Sequence, residues 1–314
     1  MHAVEARAIG AYLGLAVGDA LGATVEFMTP REIVASFGVH RRMRGGGWLK
    51  LRPGQVTDDT EMSLALGRAI RARGTVRAED AAEAFSAWMR GKPVDIGNTV
   101  RRGIVRFRRT GEALSPPSEH DAGNGACMRL LPAVLVTLNA PLAVRQQAVL
   151  DQARVTHHNA ESDAGCLAVA AMLRQAILYG DREAMLCEAR RLAEEHPRFR
   201  FDRKPETNPS GYIAHTLRAV FQAFEAGGDF EARLVNVVNR GGDADTTGAI
   251  LGMLAGGLEG FDAIPSRWFR RLDWRVADEV ISQARDLIEL GVKQVCNTRK
   301  TTGVSPNDVA LFPC

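Results

Sequence analysis

The sequence predicts an all-α fold of many short helices gathered in one compact domain. Three observations carry this. Apolar residues recur at three- and four-residue intervals through most segments, no sustained alternation is bounded by hairpin turns, and Ala and Leu dominate over Thr, Tyr and Ile. In chain order, Ile9, Leu13, Ala16 and Val17 mark a first helix. Its apolar run carries Glu5 and Arg7 ahead of it and is ended by Asp19, which is wrong for a signal peptide and too short to span a bilayer. After the breakers Gly45-Gly46-Gly47 and Pro53-Gly54, the positions Met62, Ala65, Leu66, Ala69 and Ile70 mark a second. Gly91-Lys92-Pro93 precedes a basic helix, Arg101 to Arg109, and Ser115-Pro116-Pro117 follows it. Met128, Leu130 and Leu131 mark the next helix. Leu167, Ala170, Ala171, Ile177 and Leu178 mark another, the run Ala249 to Leu258 a further one, and Val276, Val280, Ile281, Leu287 and Ile288 the last. The intervening breakers, Pro205 to Gly211, Gly227-Gly228 and Gly241-Gly242, are too short to be flexible linkers, so one domain over residues 1–295 is expected. From Cys296 to Cys314 the periodicity is lost, and a mobile tail is expected.

Composition narrows the function less than the fold. With 46% apolar and 25% charged residues among 314, the chain buries a core. Forty Lys plus Arg against 37 Asp plus Glu gives only +3, and the arginines of 101–109 form a solvated helix face without interleaved aromatics, so no nucleic-acid partner is expected. Five cysteines without C-x-x-C spacing suggest neither a zinc knuckle nor a disulfide framework, and a reducing cytoplasm is the expected compartment. No G-x-S-x-G, Walker loop or H-E-x-x-H is present to anchor acyl transfer, nucleotide hydrolysis or zinc proteolysis.

Carboxylates instead gather where helices begin. Thr57-Asp58-Asp59-Thr60-Glu61 follows the Pro53-Gly54 turn, and Gly241-Gly242-Asp243-Ala244-Asp245-Thr246-Thr247 opens the run at Ala249. Asp and Thr are good N-caps, and acids favour the positive end of a helix dipole. One cap needs one oxygen, however, and each segment supplies several. The surplus suits a hard cation such as Mg²⁺, Mn²⁺ or Ca²⁺, and if the two starts face one another a two-metal site follows. Gly123-Asn124-Gly125 reads either as a common turn or as small residues that let backbone N–H groups approach an anion. Thr156-His157-His158-Asn159 reads as a helix start in which the histidines are structural or line a pocket.

Taken together, the run Gly14 to Phe27, Gly45-Gly46-Gly47-Trp48, Thr57 to Met62, Gly123-Asn124-Gly125, Thr156-His157 and Gly242 to Gly248 resemble the ADP-ribosylglycohydrolase family. Gly45 to Thr60 and Pro93-Val94-Asp95-Ile96-Gly97 are most similar to its nitrogenase-associated branch. The resemblance covers roughly residues 8–290. It implies an orthogonal helical bundle around two divalent cations, Mn²⁺ or Mg²⁺, that removes ADP-ribose from an arginine side chain. Thr57, Asp58, Asp59 and Asp245 would hold one cation, and Asp243, Asp245 and Thr246 the other. Gly123, Asn124 and Gly125 would hold the diphosphate, with His157 lining the same pocket. Asp95 would be the acid/base, with Glu26 the alternative. The implied acceptor is the nitrogenase iron protein, dinitrogenase reductase, under the control of a PII-type signalling protein and an ammonium channel. A cytoplasmic protein reaching the membrane only through such partners is implied. Hydrolysis of O-linked or poly-ADP-ribose, or binding of ADP-ribose without catalysis, are the alternatives. Two positions depart from the pattern: Asn98 stands where close relatives carry an acid, and His158 where they carry a small residue.

Overall fold

The computed structural model describes residues 3–302, with side chains through Cys296. Among the described residues there are fourteen α-helices and two 3₁₀ turns, and the only extended pairings are the isolated bridges Gly46–Leu51 and Gly123–Tyr212. In chain order the helices are α1 (Ala3–Gly22), α2 (Pro30–Phe37), α3 (Asp58–Arg73), α4 (Ala78–Arg90), α5 (Asn98–Thr110), α6 (Leu131–Thr137) and α7 (Leu142–Ala153), then α8 (Ala160–Tyr179), α9 (Arg182–Glu195), α10 (Ile213–Glu225), α11 (Phe230–Val238), α12 (Ala244–Glu259), α13 (Ser266–Phe269) and α14 (Trp274–Thr302). No described helix is long and apolar enough to cross a membrane.

At the centre lie α1 and α12, buried along almost their whole lengths, where an amphipathic surface helix would show one polar face. They run antiparallel with their backbones in contact. A Cβ on Gly10, Gly14, Gly18 or Gly22 would sit 2.3, 2.1, 2.0 or 2.1 Å from the carbonyl oxygens of Gly256, Gly252, Gly248 and Ala244 respectively. Only glycine permits this approach. Its consequence is positional: the C-terminal end of α1, carrying Asp19 and leading into Glu26, meets the N-terminal end of α12, carrying Asp245.

Several outer helices are capped by their own side chains. Thr29 opens α2 with a capping box to Glu32, while Asn159, Asp181 and Asp229 accept backbone N–H bonds at the starts of α8, α9 and α11. The fold also adjusts the sequence reading at three places. The carboxylates at 58 and 59 lie inside α3, which begins at Asp58 and not at Met62. Met128 and Leu130 belong to a turn that precedes α6. The backbone of α14 continues as helix from Cys296 to Thr302, and the remainder of the expected tail lies outside the described residues.

Candidate metal centre

Four chain segments converge on one acidic cluster: the residues following α1, the start of α3, the segment before α5 and the start of α12. Thr246 Oγ1 donates to Asp59 Oδ2 at 3.2 Å, joining the two acidic helix starts across 187 residues of sequence. Carboxylate oxygens of Glu26, Asp95 and Asp245 lie within 4.8 Å of one another. The Asp58 Oδ2 atom accepts the Gly97 N–H at 3.3 Å, which ties the segment carrying Asp95 to α3. Asp243 accepts from the side-chain amide of Asn124. Thr57, Asp58, Asp59, Asp243, Asp245 and Thr246 are all buried, and Asp95 is half-buried.

Whether these side chains cap their own helices is decided by their hydrogen bonds. Thr57 and Asp243 occupy the N-cap positions of α3 and α12, yet neither side chain accepts a capping bond from its own helix. At α3 that task falls to Asp19, which had no assigned role in the sequence. Its two oxygens accept the Thr57 N–H (3.0 Å), the Thr57 hydroxyl (3.0 Å), the Thr60 N–H (3.2 Å) and the Thr60 hydroxyl. Asp19 caps α3 from α1, and the lone pairs of Thr57 Oγ1 stay free because its only proton is used on Asp19. One further acceptor, Asp59 Oδ1, is buried with no protein partner.

The electrostatics point the same way. Burial, then the charges of Asp243, Asp95 and Asp58, push the Glu26 carboxyl up to about 8 even though the Trp48 indole N–H donates to it. Burial and the charges of Asp95, Asp19 and Asp243 push Asp58 up to about 8. Asp59 and Asp245 are driven well above the ordinary carboxylate range, by burial first and by neighbouring carboxylates second. Burial also raises Asp243 and Asp95. Among the described residues no Lys or Arg forms a hydrogen bond or ion pair with any of these six acids. An all-oxygen donor set, an orphaned buried carboxylate oxygen and crowded carboxyls with no cationic partner fit hard divalent cations such as Mn²⁺ or Mg²⁺, and do not fit a structural zinc.

The glycine loop and His157 form one unit beside this cluster. Asn124 bonds Asp243 and the Thr216 hydroxyl (2.9 Å), and its N–H donates to Gly211 O at 3.0 Å. The glycines on either side are there for His157: a Cβ on Gly123 would sit 2.9 Å from Nε2, and one on Gly125 2.9 Å from Cε1. The proton on that ring is fixed by a residue that sequence reasoning missed. Fully buried Arg129 donates to Thr156 Oγ1 at 2.8 Å, and Thr156 Oγ1 lies 2.8 Å from His157 Nδ1. Arginine has only donors, so the hydroxyl accepts from it and sends its own proton to Nδ1, the one acceptor described within its reach. His157 is therefore the Nε2–H tautomer. Burial and the Arg129 and Arg102 charges push its pKa down to about 3, so it is neutral and acts as a donor.

The basic helix α5 is a solvated face, as expected. Its Arg102 and Arg106 pair with Asp121 and Glu112, while Val100, Gly103 and Ile104 face inward.

Comparison with known proteins agrees with this geometry. The sequence pattern of the ADP-ribosylglycohydrolase family matches residues 1–296. The ADP-ribosyl-[dinitrogen reductase] glycohydrolase of Rhodospirillum rubrum is 51% identical over 289 residues, spanning 91% of this chain and 97% of the relative. The ADP-ribosylarginine hydrolase Tri1 of Pseudomonas putida (strain GB-1) is 32% identical over 306 residues, spanning 90% and 80%. A solved structure described as an ADP-ribosylglycohydrolase-related protein complex superposes with a TM-score of 0.82 at 37% identity, covering 93% of this chain and all of its own.

Proposed function

The chain belongs to the ADP-ribosylglycohydrolase family, and from that premise we propose that it is a metal-dependent hydrolase releasing ADP-ribose from an arginine side chain of a target protein. The observation that carries the chemistry is the pair of helix starts whose acids and hydroxyls face one another instead of capping their helices. Thr57, Asp58, Asp59 and Asp245 would hold one divalent cation, and Asp243, Asp245 and Thr246 the second, as Mn²⁺ or Mg²⁺. When bound, such cations supply Lewis acidity toward the ribose hydroxyls and toward water.

The protein's own groups do the rest. The loop at Gly123, Asn124 and Gly125 meets the cluster at Asp243 and is the place for the diphosphate, with the neutral His157 ring behind it. The bond to be broken joins the anomeric carbon to a guanidinium nitrogen, which must leave protonated. Asp95 is half-buried and shares the cluster with Glu26 and Asp245, so it reaches both solvent and the reacting end. We assign it the proton transfer, worth roughly 10² to 10⁴ in rate. Glu26, fixed by Trp48 at 2.6 Å, is the alternative. Residues 1–295 are taken as the catalytic domain. The name of the R. rubrum relative and the branch-specific segments support the nitrogenase iron protein as acceptor. A PII-type protein and an ammonium channel as controlling partners, and a cytoplasmic location, rest on the resemblance.

The test is incubation of the purified protein with arginine-linked, serine-linked and polymeric ADP-ribose, each with Mn²⁺, Mg²⁺ or chelator. Release from arginine, stopped by chelation and restored by metal, is expected. Asp95→Asn should lower kcat by about 10² or more with little change in KM. Near-normal activity in Asp95→Asn with a dead Glu26→Gln would transfer the role to Glu26, and tight ADP-ribose binding without turnover would make the protein a reader.

A further inference from the structure

Next to Glu26 the chain exposes two aromatic rings that the fold does not need. Phe27 is 64% and Trp48 52% exposed, with ring centroids 5.4 Å apart at 47°. Single exposed aromatics are common on surfaces and ask for no explanation. These two are different because both are rigidly held. Phe27 has φ +62°, a left-handed conformation that a bulky residue adopts only at a cost. It is pinned there because its N–H donates to Gly242 O at 2.7 Å while the Gly242 N–H donates to Met28 O at 2.9 Å. Trp48 rides on a loop closed by the two bonds between Gly46 and Leu51 (2.8 and 2.9 Å), and Gly47 abuts Ala23, where a Cβ would lie 2.5 Å from the carbonyl oxygen. The indole is further fixed by its bond to Glu26. Backbone strain of this kind persists only where the surrounding structure holds it, and it clusters at ligand contacts.

The surroundings name the ligand. The glycine loop meets the acidic cluster at the Asp243 side chain, whereas the Trp48 indole meets it at Glu26, with the Phe27 backbone tied to Gly242 between the two. With the diphosphate at the glycine loop and the anomeric carbon at the acids, as proposed above, the rings beside Glu26 are left for the group on the far side of the scissile bond. Guanidinium is a planar, weakly hydrated cation that stacks on aromatic faces, and here it would lie beside carboxylates. An alcohol leaving group has neither property. We propose that Phe27 and Trp48 form a guanidinium subsite that holds the modified arginine and favours arginine-linked over serine-linked ADP-ribose. This rests on the arginine chemistry proposed above.

The decisive variant is Phe27→Gly, which fits the positive φ and removes the ring. It should leave the melting temperature unchanged or raised while KM for an ADP-ribosylarginine substrate rises about 3- to 10-fold, the range of one exposed to partly desolvated cation–π contact. Inhibition by free ADP-ribose should stay within about twofold of the parent, and competitive inhibition by agmatine should weaken in step with KM. Trp48→Phe keeps an aromatic face and loses the N–H to Glu26, so its KM should stay within about twofold of the parent. An unchanged KM in Phe27→Gly, an equal loss of free ADP-ribose affinity, a fall in melting temperature, or a KM increase in Trp48→Phe as large as that in Phe27→Gly would each overturn the subsite. Failure of the parent protein to cleave an arginine linkage would instead remove the chemistry on which the subsite depends.

Discussion

Adding Mn²⁺ to chelator-stripped protein should expel protons, and the structure sets how many. Glu26 and Asp58 are each pushed up to about 8 by burial and by neighbouring carboxylates. At pH 7 both then favour the protonated form. Burial and neighbouring carboxylates raise Asp59 and Asp245 in the same direction. A cation takes Asp58 in its ionised form and its charge ionises Glu26 beside it, so loading the site at neutral pH should release about two protons per chain. The apparent affinity should therefore rise about 100-fold or more per pH unit from pH 6 to 7 and level off above about pH 9. The sign for the stripped protein follows from the same shifts. A carboxyl whose folded pKa lies above its unfolded value makes the folded chain bind more protons, so stability falls as pH rises from about 4 to about 8. Two such groups change stability by roughly 3 kcal/mol per pH unit in the middle of that window. Metal-loaded protein should lose this dependence. Calorimetric titration at pH 7 in two buffers of different ionisation enthalpy counts the protons, and thermal unfolding of stripped protein at pH 6 and 8 gives the slope. Buffer-independent heats, or a stripped protein that grows more stable toward pH 8, would show that the cluster is ionised without metal and would refute the reasoning.

Two further predictions concern the scaffold. Gly18→Ala places a methyl group 2.0 Å from Gly248 O and must part the central helices, so it should cost roughly 3 kcal/mol and weaken Mn²⁺ binding, because Asp19 and Asp245 lie on the surfaces that separate; unchanged unfolding and metal affinity would show that the contact is slack. Thr156→Val strands an Arg129 N–H and frees His157 Nδ1, which should cost roughly 1.5–3 kcal/mol and mix the two ring tautomers in ¹⁵N spectra, with Thr156→Ser restoring one; a parent spectrum with the proton on Nδ1 would contradict the assignment.

How much of this was readable follows from which interactions are local. Helical periodicity is local, so the all-α fold was legible, and so was the accumulation of acids at residues 57–61 and 243–247. The choice between capping and coordination was not, because it turns on whether the Thr57 and Asp243 side chains bend back to their own helices. Asp19 was visible as the residue that ends an apolar run, but its partners Thr57 and Thr60 lie about 40 residues away. The glycines of the 123–125 loop looked like anion-binding residues, while their steric reason, the His157 ring, is a tertiary contact. One signal was present and unused. Glycine recurs every four residues at 10, 14, 18 and 22 and again at 248, 252 and 256, and two such stripes are the pattern of helices in backbone contact.

That contact explains why the acids sit where they do. Because α1 and α12 touch at four successive backbone contacts from Gly10 to Gly22, little freedom remains in how the end of one meets the start of the other, and Asp19 from α1 then fixes the start of α3 against the same point. The N-termini of α3 and α12 thus both aim at the cluster, each placing the positive end of a helix dipole toward it. Two dipoles ease the crowding of carboxylates without abolishing it, for Glu26, Asp58, Asp59 and Asp245 all remain raised. A fold whose central contact is this rigid has few ways to relax the repulsion by moving the acids apart. What is left is protonation or a cation, and a cation would also give the orphaned Asp59 Oδ1 the partner that the protein does not supply.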